Sequence, residues 1–296
     1  MGLTPEPNPA VGSGAPDTPK GLALFDGILS RAAQTNPWAA GAYAPDVSVL
    51  EEILSIPVSR AATTQSGLYG KGLDAWFAQE FRRAGFATDS VWPRASEPRV
   101  VPQEITALVS ILPKMVRADL VERLLSAKSV APQDARIRGR AYVKQVDVGI
   151  SAWTTGPELL LSTKSQSSSF GKNLPNRFEE AYGDAGNLRA RHPLAAVGFA
   201  FVLRSTVLDE PSALPRAIDM MRKLRDRGDG NGYTATCLLV VDWNADTTVS
   251  LREDLVPEDL GAGPFMDALI DVILANAPIS EHVAVRHNRD ALDLPD

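Results

Sequence analysis

The sequence predicts an α/β protein with a central mixed β-sheet flanked by helices and preceded by a helical amino-terminal region. Two observations favour this fold class. Apolar residues are spaced as in helices before Ala131, and short β-type runs alternate with helices after it. These β-type runs are strongly apolar, which is typical of strands covered on both faces. With 296 residues, 44% of them hydrophobic, the chain is long enough to bury one large core.

The amino-terminal part divides into a tail and a helical region. Residues 1–20 are rich in Pro, Gly, Ala and Thr without apolar periodicity, so we expect a disordered tail. Residues 21–130 form the predicted helical region, partly packed on the core. Its helices are predicted at residues 21–33, 47–54 and 72–86, and at 106–128 as one helix broken at Pro113 or as two.

Residues 131–296 form the predicted core, which ends in a carboxy-terminal helix. The β-type runs are residues 136–153, 158–166, 195–205 and 233–243. The helical patterns are residues 174–191, 212–227 and 264–277. The order β, β, α, β, α, β, α indicates a mixed sheet with helices on both faces.

Charged residues interrupt the first two β-type runs. Alternation along the first run predicts Gln145 and Asp147 on one face. Its other face is predicted to carry Val146, Val148 and Ile150. The second run is predicted to carry Glu158, Leu160, Ser162, Lys164 and Gln166 on one face and Leu159, Leu161 and Thr163 on the other. An acid inside a strand is costly to bury without a cation, and Lys164 or a metal ion would supply one.

Asp147 and Lys164 are candidates for phosphodiester hydrolysis. That reaction needs carboxylates to hold Mg²⁺, which activates water, and a positive group near the water or the phosphate. The alternative for Asp147 is a strand-end or salt-bridged acid. The alternative for Lys164 is an edge-strand lysine that reaches solvent.

Asp147, followed by Ser162, Thr163 and Lys164, resembles the motif of the PD-(D/E)XK nuclease superfamily. In that motif an Asp on one strand precedes Glu or Asp, any residue and Lys on the next. The order of elements is also similar, and the resemblance covers roughly residues 70–245. It implies a restriction-endonuclease-like core and Mg²⁺-dependent hydrolysis of DNA, with Asp147 as metal ligand, Lys164 near the attacking water and the backbone carbonyl of Thr163 as a further ligand.

Ser162 departs from the motif, because it stands where the second acid belongs. Some restriction endonucleases of the superfamily carry that acid on the following helix instead. Glu179 lies 15 residues after Lys164 on a predicted helix and is our candidate ligand, with Glu180 as the alternative. Ordinary ion pairs on the helix surface are the competing interpretation for both. Gln166 is a further catalytic candidate, to orient water or Lys164.

Basic residues around these strands are candidates for contacts with DNA phosphates. They are Arg138 and Arg140 on the first strand, and Lys172 and Arg177 after the second. Residues 131–227 hold fifteen Lys and Arg against ten Asp and Glu, a net +5. Residues 242–296 hold three Arg against twelve acids, a net −9. The middle of the chain therefore suits a polyanion better than its end, although solvated surface charge explains the pattern equally well.

Several other function classes lack support. The segment around Gly70 and Lys71 lacks the spacing of a phosphate-binding loop, three His and one Cys give no zinc-site spacing, and no nucleophile elbow is present. Cys237 lies in an apolar run and is expected to pack there. The chain shows neither a signal peptide nor an apolar run of about 18 residues, so we expect a cytoplasmic protein.

The sequence thus predicts a type II restriction endonuclease that cuts double-stranded DNA at a short specific site. By analogy it acts as a homodimer, with Mg²⁺ as cofactor and a companion DNA methyltransferase that protects the same site. Two alternatives stay open. One is a catalytically degenerate nuclease fold that only binds DNA or acts as a scaffold, and the other is a structure-specific repair nuclease.

Overall fold

A computed structural model describes residues 19–39, 41–63, 66–243 and 247–290. The tail predicted at residues 1–20 lies outside the described residues except for its last two. The helices are α1 Asp26–Leu29, α2 Val47–Ser59, α3 Leu68–Ala84, α4 Gln103–Ile111, α5 Lys114–Ser126, α6 Phe170–Arg189, α7 Ala213–Arg225, α8 Ala262–Asn276 and α9 Val283–Asp290. The strands are β1 Trp38–Ala39, β2 Ala42–Tyr43, β3 Val91–Trp92, β4 Ala135–Arg138, β5 Val143–Val146, β6 Val148–Ala152, β7 Gly156–Gln166, β8 Ala196–Arg204, β9 Ala235–Trp243 and β10 Val249–Leu251.

The centre of the fold is a six-stranded mixed sheet in the order β10-β9-β8-β7-β6-β3. Strands β7, β8 and β9 run parallel, and β6 and β10 flank them in antiparallel orientation. Strand β8 is buried over nearly its whole length because helices cover both faces of the sheet. The predicted fold class, a mixed sheet flanked by helices with further helices in the amino-terminal region, is confirmed.

Two apolar clusters lie on opposite faces of the sheet. The first contains side chains of α2, α3 and α8, and the second contains side chains of α6 and α7. The predicted apolar face of α3 is correct, since Leu73, Trp76, Phe77 and Phe81 are all fully buried. The helix ends at Ala84 because Gly85 takes a left-handed conformation with φ of 111°. Cys237 is buried in the first cluster, where it packs as expected.

The first predicted strand is in fact three strands. Strands β4 and β5 form a separate two-stranded sheet, the β4–β5 hairpin, and only β6 joins the central sheet. The predicted face of Val146 is therefore wrong. Val146 packs in the second cluster, whereas Val148 and Ile150 pack in the first. The alternation fails because the chain changes sheets at Asp147.

The amino-terminal helices also differ from the predicted pattern. Residues 21–33 contain a 3₁₀ turn at Gly21–Leu24 and the single-turn helix α1 instead of one longer helix. The segment around Pro113 forms two helices, α4 and α5, because proline cannot donate the backbone hydrogen bond of a continuous helix. No helix in the part of the chain that the structure describes is long and apolar enough to span a membrane.

Candidate active site

Asp147 is the single residue between β5 and β6, at the point where the chain passes from the β4–β5 hairpin into the central sheet. Its backbone N–H donates to the carbonyl of Leu161 on β7, at 3.0 Å. Beyond this pair, β7 continues to Gln166. The segment on the amino-terminal side of Asp147 does not follow it and belongs to the β4–β5 hairpin instead. The carboxylate of Asp147 accepts the next backbone donor of β7, because Thr163 N lies 2.8 Å from Asp147 Oδ2. A side chain thus replaces the missing strand partner.

Asp74 of α3 reaches the same residue from the other side. Its Oδ1 accepts a hydrogen bond from Thr163 Oγ1 at 2.5 Å. Thr163 therefore donates from its backbone to one carboxylate and from its hydroxyl to another. The remaining oxygen of each carboxylate accepts no hydrogen bond from any described residue, and both acids line the same cavity. Asp74 was not among the predicted site residues.

The two carboxylates disfavour each other's charge. Burial and then the charge of Asp147 raise the pKa of Asp74 well above its ordinary value, against the lowering effects of Thr163, Lys71 and Lys164. Burial also raises the pKa of Asp147, and the Thr163 N–H, Lys164 and Lys144 oppose this rise. Two half-buried acids held by one residue are an arrangement that a divalent cation would stabilise.

Lys164 lies next to Thr163 on β7 and extends to the opposite face of the sheet, towards α6. Its Nζ is 3.1 Å from Glu180 Oε1. Lys164 is nonetheless near enough to both Asp74 and Asp147 for its charge to lower their pKa values. The alternation predicted for β7 is correct here, because Thr163 faces α3 and Lys164 faces α6. The structure thus brings Asp147, Lys164 and Thr163 together.

Glu180 is surrounded by positive charges. Besides Lys164, its carboxylate contacts Arg177 Nη1 at 3.1 Å and Lys144 Nζ at 3.6 Å. Burial raises its pKa, but the charges of Lys164 and Lys144 and the hydrogen bonds from Lys164 and Arg177 outweigh burial, and the net pKa is lower than usual. Lys144 also contacts Asp184. Glu180 therefore remains ionised and holds the Lys164 ammonium in place.

The other predicted members of the site lie apart from the two carboxylates. Glu179 is exposed on α6 and forms no ion pair or hydrogen bond with any residue the structure describes. Gln166 donates to the carbonyls of Ser168 and Ser169, at 3.1 and 3.0 Å, and so holds the turn before α6. Ser162 is buried in β7. Its hydroxyl does not supply the carboxylate that the motif would carry at this position.

A cavity of about 520 Å³ opens beside Asp74 and Asp147. Its walls come from α3, from the loop that follows β3 and from the segment before β4. Its lining residues are Lys20, Gly21, Leu22, Lys71, Asp74, Trp92, Pro93, Glu97, Pro98, Arg99, Val100, Leu125, Ala131, Pro132, Gln133, Asp134, Ala135, Gln145, Val146 and Asp147. The carboxylates are thus accessible from a space large enough for a small ligand.

The arginines of the β4–β5 hairpin are exposed. Neither Arg138 nor Arg140 has an acidic partner among residues 19–39, 41–63, 66–243 and 247–290. Backbone and side chain of Asn187 on α6 fix the hairpin, with Arg140 N 2.8 Å from Asn187 O and Ala141 N 2.8 Å from Asn187 Oδ1. Gly139 is required at this contact, because a Cβ there would lie 2.2 Å from Asn187 Nδ2.

The two remaining DNA-contact candidates lie on α6. Lys172 is exposed in the first turn of the helix. Arg177 is half-buried, and its charge is already used in the ion pair with Glu180. Of the four basic residues predicted to contact DNA, three therefore present a cation to solvent. The fourth, Arg177, is paired with Glu180, which also contacts Lys164.

The donor set suits a hard cation. Asp74 and Asp147 supply carboxylate oxygens, and Mg²⁺ in phosphoryl-transfer sites is commonly held by one or two carboxylates together with water and substrate phosphate. Within the described ranges, no group of three or more His, Cys, Asp or Glu side chains is arranged to hold a metal ion. The residues therefore fit a metal site with two protein carboxylates, whose remaining ligands come from water and substrate phosphate. They do not fit a structural site in which protein side chains supply every ligand.

Comparison with known proteins adds no relative. No family model matches the chain, and neither a curated protein nor a solved structure matches it.

Proposed function

We propose that this chain is a Mg²⁺-dependent endonuclease that hydrolyses DNA phosphodiester bonds, with Asp74 and Asp147 as metal ligands and Lys164 as the catalytic cation. The observation that carries the proposal is the pair of carboxylates on Thr163, with Lys164 as the next residue of the same strand. In this proposal Asp74 supplies the acid that Ser162 cannot, and neither Glu179 nor Glu180 is needed as a ligand.

Each residue has a definite task in this mechanism. Asp74 and Asp147 would hold the cation through their carboxylate oxygens. When bound there, Mg²⁺ would supply Lewis-acid chemistry at the phosphate and lower the pKa of water. The Lys164 ammonium, whose charge already lowers the pKa of both acids, would stabilise the negative charge that develops on the phosphate oxygens. Glu180 and Lys144 position Lys164, and Thr163 fixes the separation of the two acids.

The exposed cations suit DNA as the substrate. Arg138 and Arg140 project from the β4–β5 hairpin, and this hairpin leads directly into Asp147. Contacts of such arginines with the phosphate backbone would fix the position of a strand relative to the carboxylates without reading its sequence. Lys172 extends this surface at the start of α6.

The biological setting belongs to the same proposal. We infer a cytoplasmic type II restriction endonuclease of the PD-(D/E)XK superfamily that acts as a homodimer on a short site in double-stranded DNA. Such an enzyme requires a companion methyltransferase of the same specificity. This inference rests on the resemblance around Asp147 and Lys164 and is an analogy at the level of the fold.

Incubation of the purified protein with unmethylated plasmid and phage DNA, in Mg²⁺ or in EDTA, tests the activity. We expect cleavage in Mg²⁺ only, with loss of cleavage in Asp74→Asn, Asp147→Asn and Lys164→Ala and full activity in Glu179→Gln. Discrete fragments would identify a sequence-specific enzyme. DNA that is bound but stays intact under every condition would instead establish a binding or scaffold protein.

A further inference from the structure

The cavity beside the carboxylates offers three kinds of group to a ligand. Trp92 supplies an aromatic ring, Lys71 a cation, and Gln133 and Gln145 exposed amides. These groups match the base and the phosphate of a nucleotide, since rings stack on base faces, amides pair with base edges and cations contact phosphates. Neither amide side chain has a hydrogen-bond partner among the residues that the structure describes.

Trp92 is held in a fixed position at the cavity wall. Its indole Nε1–H donates to the carbonyl of Val101 at 3.0 Å. The ring packs over Gly149 of β6, where a Cβ would lie 3.7 Å from Trp92 Cε3. A ring that is already immobilised loses little conformational entropy when a base stacks on it.

The size of the cavity suits an unpaired nucleotide. Its volume of about 520 Å³ lies within the range of about 300–1,000 Å³ that small-molecule sites occupy. A space of this volume suits one nucleotide better than a base pair with both of its backbones. Asp74 and Asp147 form part of the wall, so the phosphate that reaches them belongs to the strand whose nucleotide enters the cavity.

We propose that this cavity binds one nucleotide of the cleaved strand, unpaired from its complement, with its base against Trp92. The proposal rests on the nuclease function proposed above and adds the class of substrate. The unpaired nucleotide comes either from a single strand or from a duplex whose base is turned out of the stack. Both sources present the same chemical groups, and an experiment separates them.

Binding is measured by fluorescence anisotropy in Ca²⁺ with three labelled DNA probes. They are a single-stranded oligonucleotide, its matched duplex, and the same duplex with a run of mismatches. Because unpairing a base costs free energy, we expect the probes with unpaired bases to bind at least about tenfold more tightly than the matched duplex. Tight binding of the single strand alone identifies single-stranded DNA as the source, and tight binding of the mismatched duplex as well identifies a base turned out of a duplex.

Variants link this preference to the cavity. Gln133→Trp, a surface change that fills the cavity, is expected to weaken binding of the unpaired probes about tenfold and to leave the matched duplex unchanged. Lys71→Ala should weaken the same probes, whereas Arg216→Ala, an exposed arginine on α7, should not. Trp92→Leu keeps apolar bulk and removes stacking, so it should weaken binding of the unpaired probes. If the Trp92→Leu protein does not fold, Gln133→Trp still tests the cavity.

The outcomes separate this proposal from the nuclease itself. A matched duplex that binds at least as tightly as the other probes, with Gln133→Trp changing none of them, overturns the cavity proposal. Normal Mg²⁺-dependent cleavage by Gln133→Trp overturns it as well, while the nuclease function stands. Cavity-dependent binding of unpaired DNA without any cleavage in Mg²⁺ supports the nucleotide site and rejects the nuclease.

Discussion

Asp74→Asn should stabilise the metal-free protein and abolish its response to Mg²⁺. Asparagine keeps the Oδ1 acceptor for Thr163 Oγ1, so the change removes the charge and leaves the hydrogen bond. Two neighbouring unit charges inside a protein repel by roughly 3 kcal/mol at an effective dielectric constant of about 20. Partial protonation of Asp74 reduces this repulsion. At about 2 °C per kcal/mol for a chain of this size, we expect a rise in melting temperature of about 2–6 °C in EDTA.

Mg²⁺ should stabilise the wild-type protein and should have no such effect on the variant. A ligand at a hundred times its dissociation constant stabilises the folded state by about 2.7 kcal/mol, which raises the wild-type melting temperature by several degrees. Asp74→Asn and Asp147→Asn should lose this shift because each leaves a single carboxylate. Glu179→Gln is the matched control on α6 and should keep the full shift. Differential scanning fluorimetry in EDTA and in Mg²⁺ measures all four proteins.

The stabilisation by Asp74→Asn should also depend on pH. Burial and the charge of Asp147 raise the pKa of Asp74 in the folded state. A carboxyl with a raised folded pKa stabilises the fold fully below its unfolded pKa, near 3.8, and this contribution is lost as pH rises through the folded pKa. The difference between Asp74→Asn and wild type in EDTA should thus be small near pH 4 and grow towards neutral pH. A variant that melts below wild type at neutral pH, or still responds fully to Mg²⁺, would refute the shared cation site.

Three further outcomes are expected. Lys164→Ala should lower the cleavage rate by about 10²–10³-fold, as expected when one group that stabilises transition-state charge is removed, while a filter-binding assay shows DNA affinity within a few-fold of wild type. Arg138→Ala and Arg140→Ala should each weaken DNA binding and reduce the slope of log affinity against log salt by about 1, and an unchanged slope would place the β4–β5 hairpin away from DNA. Gly139→Ala should lower the melting temperature, because its Cβ meets the Asn187 side chain, and a melting temperature equal to wild type would contradict the docked hairpin.

The arrangement of β7 could be predicted because its signal is local. Leu159 and Leu161 alternate with Leu160, and this spacing correctly places Thr163 towards one layer of helices and Lys164 towards the other. Each position depends only on its distance along one strand. The sheet flanked by helices follows from the same kind of pattern, repeated in β8 and β9.

The position of Asp74 could not be derived in this way. Its contact with Thr163 joins residues 89 positions apart, and no periodicity connects a helix residue with a particular strand residue. One signal was present. Asp74 follows Leu73 and precedes Trp76, so it lies beside the most buried face of α3, where an acid needs a partner.

The break between β5 and β6 at Asp147 also could not be predicted from the sequence. Val146 and Val148 have the spacing of neighbours on one face, and nothing in the sequence shows that they pack in different clusters. The break depends on the docking of the β4–β5 hairpin against Asn187 and Asp184 of α6, which is a tertiary contact.

One residue alone, Asp147, separates β5 from β6, so the β4–β5 hairpin and the carboxylate are joined without a loop. The other end of the hairpin, which carries the arginines, is docked on Asn187 of α6. In the proposed nuclease, a strand bound by Arg138 and Arg140 would therefore lie at a fixed distance from the carboxylate. Substitutions that undock the hairpin should then change turnover together with affinity.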